Sequence, residues 1–232
     1  MPRYTSAYSS LLLRLKEVEV LRRSAAAKER DDPIKLRHDI NAFCRAGIVL
    51  LCAHLEAYVK ELGEVALTNI HARAVPRTML ASQFFYHLSK DLLDEVRDTS
   101  DPMKIAAKVF DFLQQDATYW GRVGPFPIPL PVDRFNKGFA NPAFKKVRAY
   151  LNRFGYADYK VELARKLKAD YLVTVNMVDH LVDTRNKIAH GDPSVTKTPQ
   201  DVKEMIRIIR VYCKATDTIF ASWCKQELCT IR

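Results

Sequence analysis

Apolar residues recur at three- and four-residue spacing along nearly the whole chain, the period of an α-helix. The longest such stretch, residues 36–65, carries Leu36, Ile40, Phe43, Gly47, Leu50, Leu51, Tyr58, Leu62 and Val65. A second stripe, Val49, Cys52 and Val59, makes its middle apolar on most sides. A helix of that kind lies in the centre of a bundle or against a partner chain. Glycine numbers 7 in 232 residues, too few for the turns of a hairpin-rich β fold. The expectation is an all-α helical bundle, one domain over residues 1–232, with extra helices and a proline-rich connection.

Proline after a capping side chain marks helix starts, because the first helical residue needs no N–H. Asp32-Pro33, Asp101-Pro102, Asn141-Pro142 and Thr198-Pro199 have this form. With the periodicity they predict helices near 5–28, 33–72, 77–97, 102–118, 142–154, 158–169, 171–190 and 199–227. Alternating prolines between Gly121 and Asp133 enforce extended backbone, so 120–140 reads as an irregular insertion.

Several classes fall away. No G-x-G-x-x-G or Walker A loop occurs, so nothing predicts a nucleotide cofactor. The longest purely apolar run, Ala46 to Ala53, is well short of the ~18 residues that span a bilayer. Leu11 to Leu13 is too short for a signal-peptide core. Cys44, Cys52, Cys213, Cys224 and Cys229 are odd in number and lack C-x-x-C spacing. They read as reduced thiols of a cytoplasmic protein without a zinc site. The acidic run Asp91, Asp94, Glu95, Asp98 and Asp101 reads as a solvated face and not a metal site.

The formal charge of +10 favours polyanionic partners. Residues 141–168 hold Lys145, Lys146, Arg148, Arg153, Lys160, Arg165, Lys166 and Lys168 against only Asp158 and Glu162. In the last helix Lys203, Arg207, Arg210 and Lys214 share one face, either solvated or tracking phosphates. Tyr119-Trp120 could stack on bases or pack inside.

The most informative stretch runs from Val178 to Gly191, where a helix carries Asp183, Arg185, Asn186, Lys187 and His190 and then meets Gly191 and Pro193. Arg185 and His190 lie about 140° apart on an ideal helix, so one chain does not easily aim both at one atom. Two copies about a two-fold axis could bring four such groups into one cleft. Arg185 could instead pair with Asp179 or Asp183, and His190 could cap its own helix.

Arg185, Asn186 and His190 resemble the mark of the HEPN superfamily: Arg, then a polar residue, then His after four to six residues. Leu51 to Val59 is similar to the long early helix of its RiboL-PSP-HEPN branch, and Asn141-Pro142 followed by Leu151 to Gly155 also resembles that branch. The resemblance implies a helical bundle, a homodimer with the Arg/His pairs at its interface, and a metal-independent endoribonuclease. Toxin–antitoxin and phage-defence settings are implied, with an antitoxin or defence partner; some members only bind RNA or scaffold assemblies. A Tyr two positions after the His, modified in one subgroup, is Asp192 here, so that regulation is not expected.

The implied roles are proton transfer for His190, phosphate stabilisation for Arg185, and orientation for Asn186. Lys187, Lys203, Arg207 and Arg210 are the expected RNA contacts, with Asp183, His54 and Glu56 in support. His54 falls on the apolar stripe and could be a core histidine. Glu56 could pair with Lys60 or reach the Arg185 cluster.

Overall fold

The computed structural model describes residues 4–121 and 123–232. Met1 to Arg3, within the domain expected over 1–232, and Arg122 of the proline stretch lie outside the described residues. Among those described there is no strand, as expected for an all-α chain.

Four long helices make the core. Helix α1 (Ser6–Asp31) and α2 (Arg37–Ala72) form an antiparallel hairpin, and α9 (Tyr171–Ala189) and α10 (Pro199–Glu227) pack across it. The 3/4 stripe of α2 is what they enclose: Ile48, Leu51, Leu55, Tyr58 and Leu62 are all fully buried. The second stripe divides. Cys52 and Val59 are buried, whereas Val49 stays 39% exposed. By length and composition α2 could cross a membrane; here its apolar side is the centre of the bundle.

The start of α1 is fastened to α10. Buried Thr5 caps α1 by accepting from the Tyr8 N–H, and its own N–H donates to Asp217 Oδ2 at 3.2 Å. Its hydroxyl also donates to Asp217. Burial pushes the Asp217 carboxyl pKa up, and the two Thr5 hydrogen bonds oppose the rise.

Further helices flank this core: α3 (Ser82–Leu88), α4 (Lys90–Arg97), α5 (Pro102–Trp120), α6 (Val132–Asn136), α7 (Phe144–Asn152) and α8 (Tyr159–Leu167). Three differ from the sequence expectation. First, α2 begins at Arg37 and not at Pro33, because Asp32 Oδ1 accepts the Ile34 and Lys35 N–H groups at 3.1 and 2.9 Å and makes a turn. Second, the single helix expected over 77–97 is a 3-10 turn at Arg77–Met79 followed by α3 and α4. The chain bends at buried Ser89, whose Oγ accepts the Trp120 Nε1–H at 2.9 Å. Third, the stretch expected to be irregular contains α6. Phe135 is fully buried there, with ring centroids 5.3 and 4.7 Å from Phe84 and Phe154. Tertiary packing of one aromatic thus outweighs the local proline signal. Capping follows the reading at α5, by Asp101, and at α10, by a reciprocal Thr198–Asp201 box.

Helix α2 meets α7 at Gly63, where a Cβ would overlap the Tyr150 hydroxyl. Tyr150 is itself buried and donates to Asn136 Oδ1. Gly63→Ala is therefore expected to destabilise the fold by about 1–3 kcal/mol through overpacking, read by urea unfolding. A second expectation concerns pH. Burial lowers the His87 pKa from 6.5 to about 4, so folded His87 is neutral where the unfolded chain takes a proton. Stability that His87 permits above pH 6.5 is lost as pH falls toward 4. His87→Gln should flatten that loss in thermal melts across this window; an unchanged slope would contradict it.

Candidate functional site

Helix α9 buries Thr174, Val175, Val178, Leu181, Val182 and Thr184 against the core. It stops at His190, whose backbone N–H still bonds to Asn186 O at 2.9 Å. Gly191 follows at φ +77°, the left-handed conformation that glycine accommodates. Arg45 of α2 holds the next loop, donating to Asp192 O at 3.0 Å. The Asp192 carboxylate accepts the hydroxyl and the N–H of Ser194, which hold its pKa below the usual range.

Arg185 is half-buried and faces α2. It lines a cleft of about 340 Å³ with Val49, Ala53, Glu56, Ala57 and Lys60. Its guanidinium donates to the Asn141 side-chain oxygen. It also lies beside the buried Cys52 thiol, whose pKa burial raises and Arg185 partly brings back down. Asn141 has φ +56°, a conformation Asn tolerates better than most residues. That bend directs its N–H at Glu56 Oε2, 3.2 Å away, while Glu56 Oε1 accepts from Lys60 Nζ at 2.7 Å. Glu56 therefore does both things the sequence left open. It pairs with Lys60, and it reaches Arg185 through Asn141.

This corrects the reading of Asn141 as a cap. The first N–H of α7, on Phe144, is taken by Asp179 Oδ1 of α9 at 2.8 Å. Asp179 is thus occupied at α7, and Asp183 is exposed. The cap from α9 and the Asn141 contact to Arg185 fasten the start of α7 to α9 at two points.

The other expected residues are distributed differently. His190 and Lys187 are exposed and Asn186 is half-buried; none of them lines the cleft that holds Arg185. The spacing on α9 accounts for this, since His190 is about 140° round the helix from Arg185. His54 faces α1: it is 8% exposed, with Nε2 3.3 Å from Glu17 Oε2. Burial lowers its pKa, and Arg14 adds to the effect. On α10, Lys203, Arg207 and Arg210 are exposed, but Arg207 is held bidentately by Glu204 at 2.8 and 2.6 Å. Arg210 lies against the Tyr8 hydroxyl, and Lys214 Nζ sits 5.8 Å from the Tyr4 ring centroid. Tyr119 is buried, and Trp120 is packed edge-on against Phe112. Asp91, Asp94 and Glu95 of the acidic run each meet a cation, namely Lys137, Arg97 and Lys108.

Sequence reasoning did not find Asn141 and Cys52 as neighbours of Arg185. Asn before Pro signals a bend, and the bend was the usable clue; the partner of the side chain was not encoded locally.

The sequence model of the family described as RiboL-PSP-HEPN matches residues 9–222. No curated protein and no solved structure matches the chain.

Asp179→Ala should cost about 1 kcal/mol in chemical denaturation, the usual loss of a cap. Asp179→Asn should recover most of it, because an amide oxygen still accepts the Phe144 N–H. Equal losses in both variants would contradict the cap.

Proposed function

The chain belongs to the RiboL-PSP-HEPN family, and from that membership we propose that it is a metal-independent endoribonuclease acting as a homodimer. The observation that carries this reading is Arg185, half-buried in an open cleft and steadied by Asn141, on the helix that ends in an exposed His190. A guanidinium held in this way offers a planar fork to a phosphate. An exposed imidazole can accept a proton or give one up.

Within one copy the two groups diverge. Beside Arg185, α2 leaves Ala42, Ala46, Val49 and Ala53 uncovered at helical spacing. Small apolar side chains let a second copy approach closely, and a two-fold contact along this strip would be self-complementary. In this arrangement Arg185 of one copy works with His190 of the partner subunit. The two imidazoles divide the acid and base work. One removes the proton of the ribose 2′-hydroxyl as that oxygen attacks the adjacent phosphorus. The other protonates the departing 5′-oxygen. Arg185 stabilises the charge on the phosphorane, and Asn186 orients the phosphate. The products are a 2′,3′-cyclic phosphate and a 5′-hydroxyl, and no step needs a metal ion.

The setting in this reading is toxin–antitoxin or phage defence, with an antitoxin or defence-system partner. The five cysteines are free thiols, which accords with a reducing cytoplasm. One observation favours a second reading, a non-catalytic RNA-binding or assembly module: Arg185 is already engaged by Asn141, and His190 lies outside its cleft.

Cleavage of single-stranded RNA in excess EDTA separates the two. Arg185→Ala and His190→Ala should each lower the rate at least about 100-fold, as loss of charge stabilisation or of proton transfer does. Asn141→Gly keeps the left-handed backbone and removes the amide; about a tenfold loss in kcat is expected from poorer positioning of Arg185. Cleavage that is unaffected by both substitutions, or that leaves 5′-phosphates, would overturn the nuclease reading.

A further inference from the structure

Helix α7 starts at the Arg185 cleft, since Asn141 touches Arg185 and Asp179 of α9 caps the helix. Its outward side carries Lys145, Lys146 and Arg148, all exposed. The chain continues through α8 and the 3-10 turn at Lys168–Asp170, where Lys160, Arg165, Lys166 and Lys168 are exposed. None of these seven cations is within an ion pair or a side-chain hydrogen bond among the described residues. Of the acids along this stretch, Glu162 accepts the Tyr156 hydroxyl at 2.6 Å, and Asp158 and Asp170 are exposed and form no ion pair with these cations among the described residues.

The contrast with α10 decides between two basic faces. There Arg207 is spent on Glu204, Lys214 lies over the Tyr4 ring and Arg210 lies beside Tyr8, and of this row Lys203 alone is exposed without such a contact. A phosphate docking on α10 would have to displace those contacts. On α7 and α8 it displaces only water and counterions, which is the favourable entropy source in nucleic-acid binding.

The strip also has the right reach. Lys145 and Lys146 follow Asn141 by four and five residues, so they lie within about 19 Å of it along any path. Farther along, Arg148 is near Tyr171, at the opposite end of α9 from Arg185. From Tyr171 to Arg185 along α9 is about 21 Å. A backbone laid from the cleft along α7 toward α8 therefore passes cations over several nucleotides.

We propose that the α7–α8 face is the RNA-binding track, holding the phosphates of a single strand that leads away from the Arg185 cleft. The proposal rests on the ribonuclease reading for its choice of ligand. It replaces the α10 residues Lys203, Arg207 and Arg210 as the principal phosphate contacts.

The test uses the full chain carrying His190→Ala and a fluorescent 20-nucleotide single-stranded RNA, with binding measured by anisotropy between 0.05 and 0.3 M salt. Neutralising three exposed cations in Lys145→Gln/Lys146→Gln/Arg148→Gln should make the log–log salt slope shallower by about 2. In 0.1 M salt the affinity should fall about 100-fold. Lys203→Gln/Arg207→Gln/Arg210→Gln should stay within about twofold. Thermal melting of both triple variants should match that of the parent, which excludes unfolding as the cause. A larger loss from the α10 set, an unchanged slope in the α7 set, or no RNA binding by the parent at 0.05 M salt would each overturn the track. Cleavage by the chain with native His190 is scored separately. Binding that depends on α7 without any cleavage would remove the nuclease reading and leave the track standing.

Discussion

Helix α2 has apolar residues on two sides and neighbours for only one of them. Its deeper stripe is enclosed by α1, α9 and α10, and burial of each Leu or Ile there contributes roughly 1.5–3 kcal/mol. The other side is left with Ala42, Ala46, Val49 and Ala53 in the open. Everything proposed about the site follows from this asymmetry. The enclosed side fixes α9 in place, so Arg185 is presented along the uncovered side. Arg45 and Glu56, both on α2, then hold the loop after α9 and the bend at Asn141.

Around that frame the polar contacts are few and specific. Asn141 holds Arg185 with its side chain and Glu56 with its backbone, so one residue couples α2, α9 and the entry to α7. Asp179 completes the arrangement by capping α7 from α9. The site is therefore positioned by backbone geometry at one left-handed residue and by a cap supplied from another helix.

The long helices were legible because their signals are local: period, proline and capping residue all coincide at Asp101-Pro102 and Thr198-Pro199. The bends were not. Ser89 breaks a helical pattern because Trp120, 31 residues away, donates to it. α6 exists because Phe135 finds an aromatic cluster assembled from α3, α7 and the turn after α7, namely Phe84, Tyr150 and Phe154. In the site, Arg185 was legible from its spacing to His190 and from the residue after it. Its partner Asn141 was misread as a cap, since a proline following Asn looks the same in sequence whether the side chain turns back on the helix or reaches across to another. The basic faces were equally ambiguous in sequence, and what tells them apart is that Arg207 is paired with Glu204 and Lys214 lies over Tyr4, contacts that the α7 cations lack among the described residues.

The central claim is that Arg185 and the histidine it works with come from different copies of the chain. The direct measurement is RNA cleavage in EDTA by Arg185→Ala chains, by His190→Ala chains, and by an equimolar mixture allowed to exchange subunits. Each alone should be inactive. The mixture should cleave faster than either variant alone but well below the native rate, because a mixed dimer restores one guanidinium opposite one imidazole and leaves the second proton transfer unassisted. A mixture as inactive as its components, with exchange verified by differently tagged chains, would contradict the account.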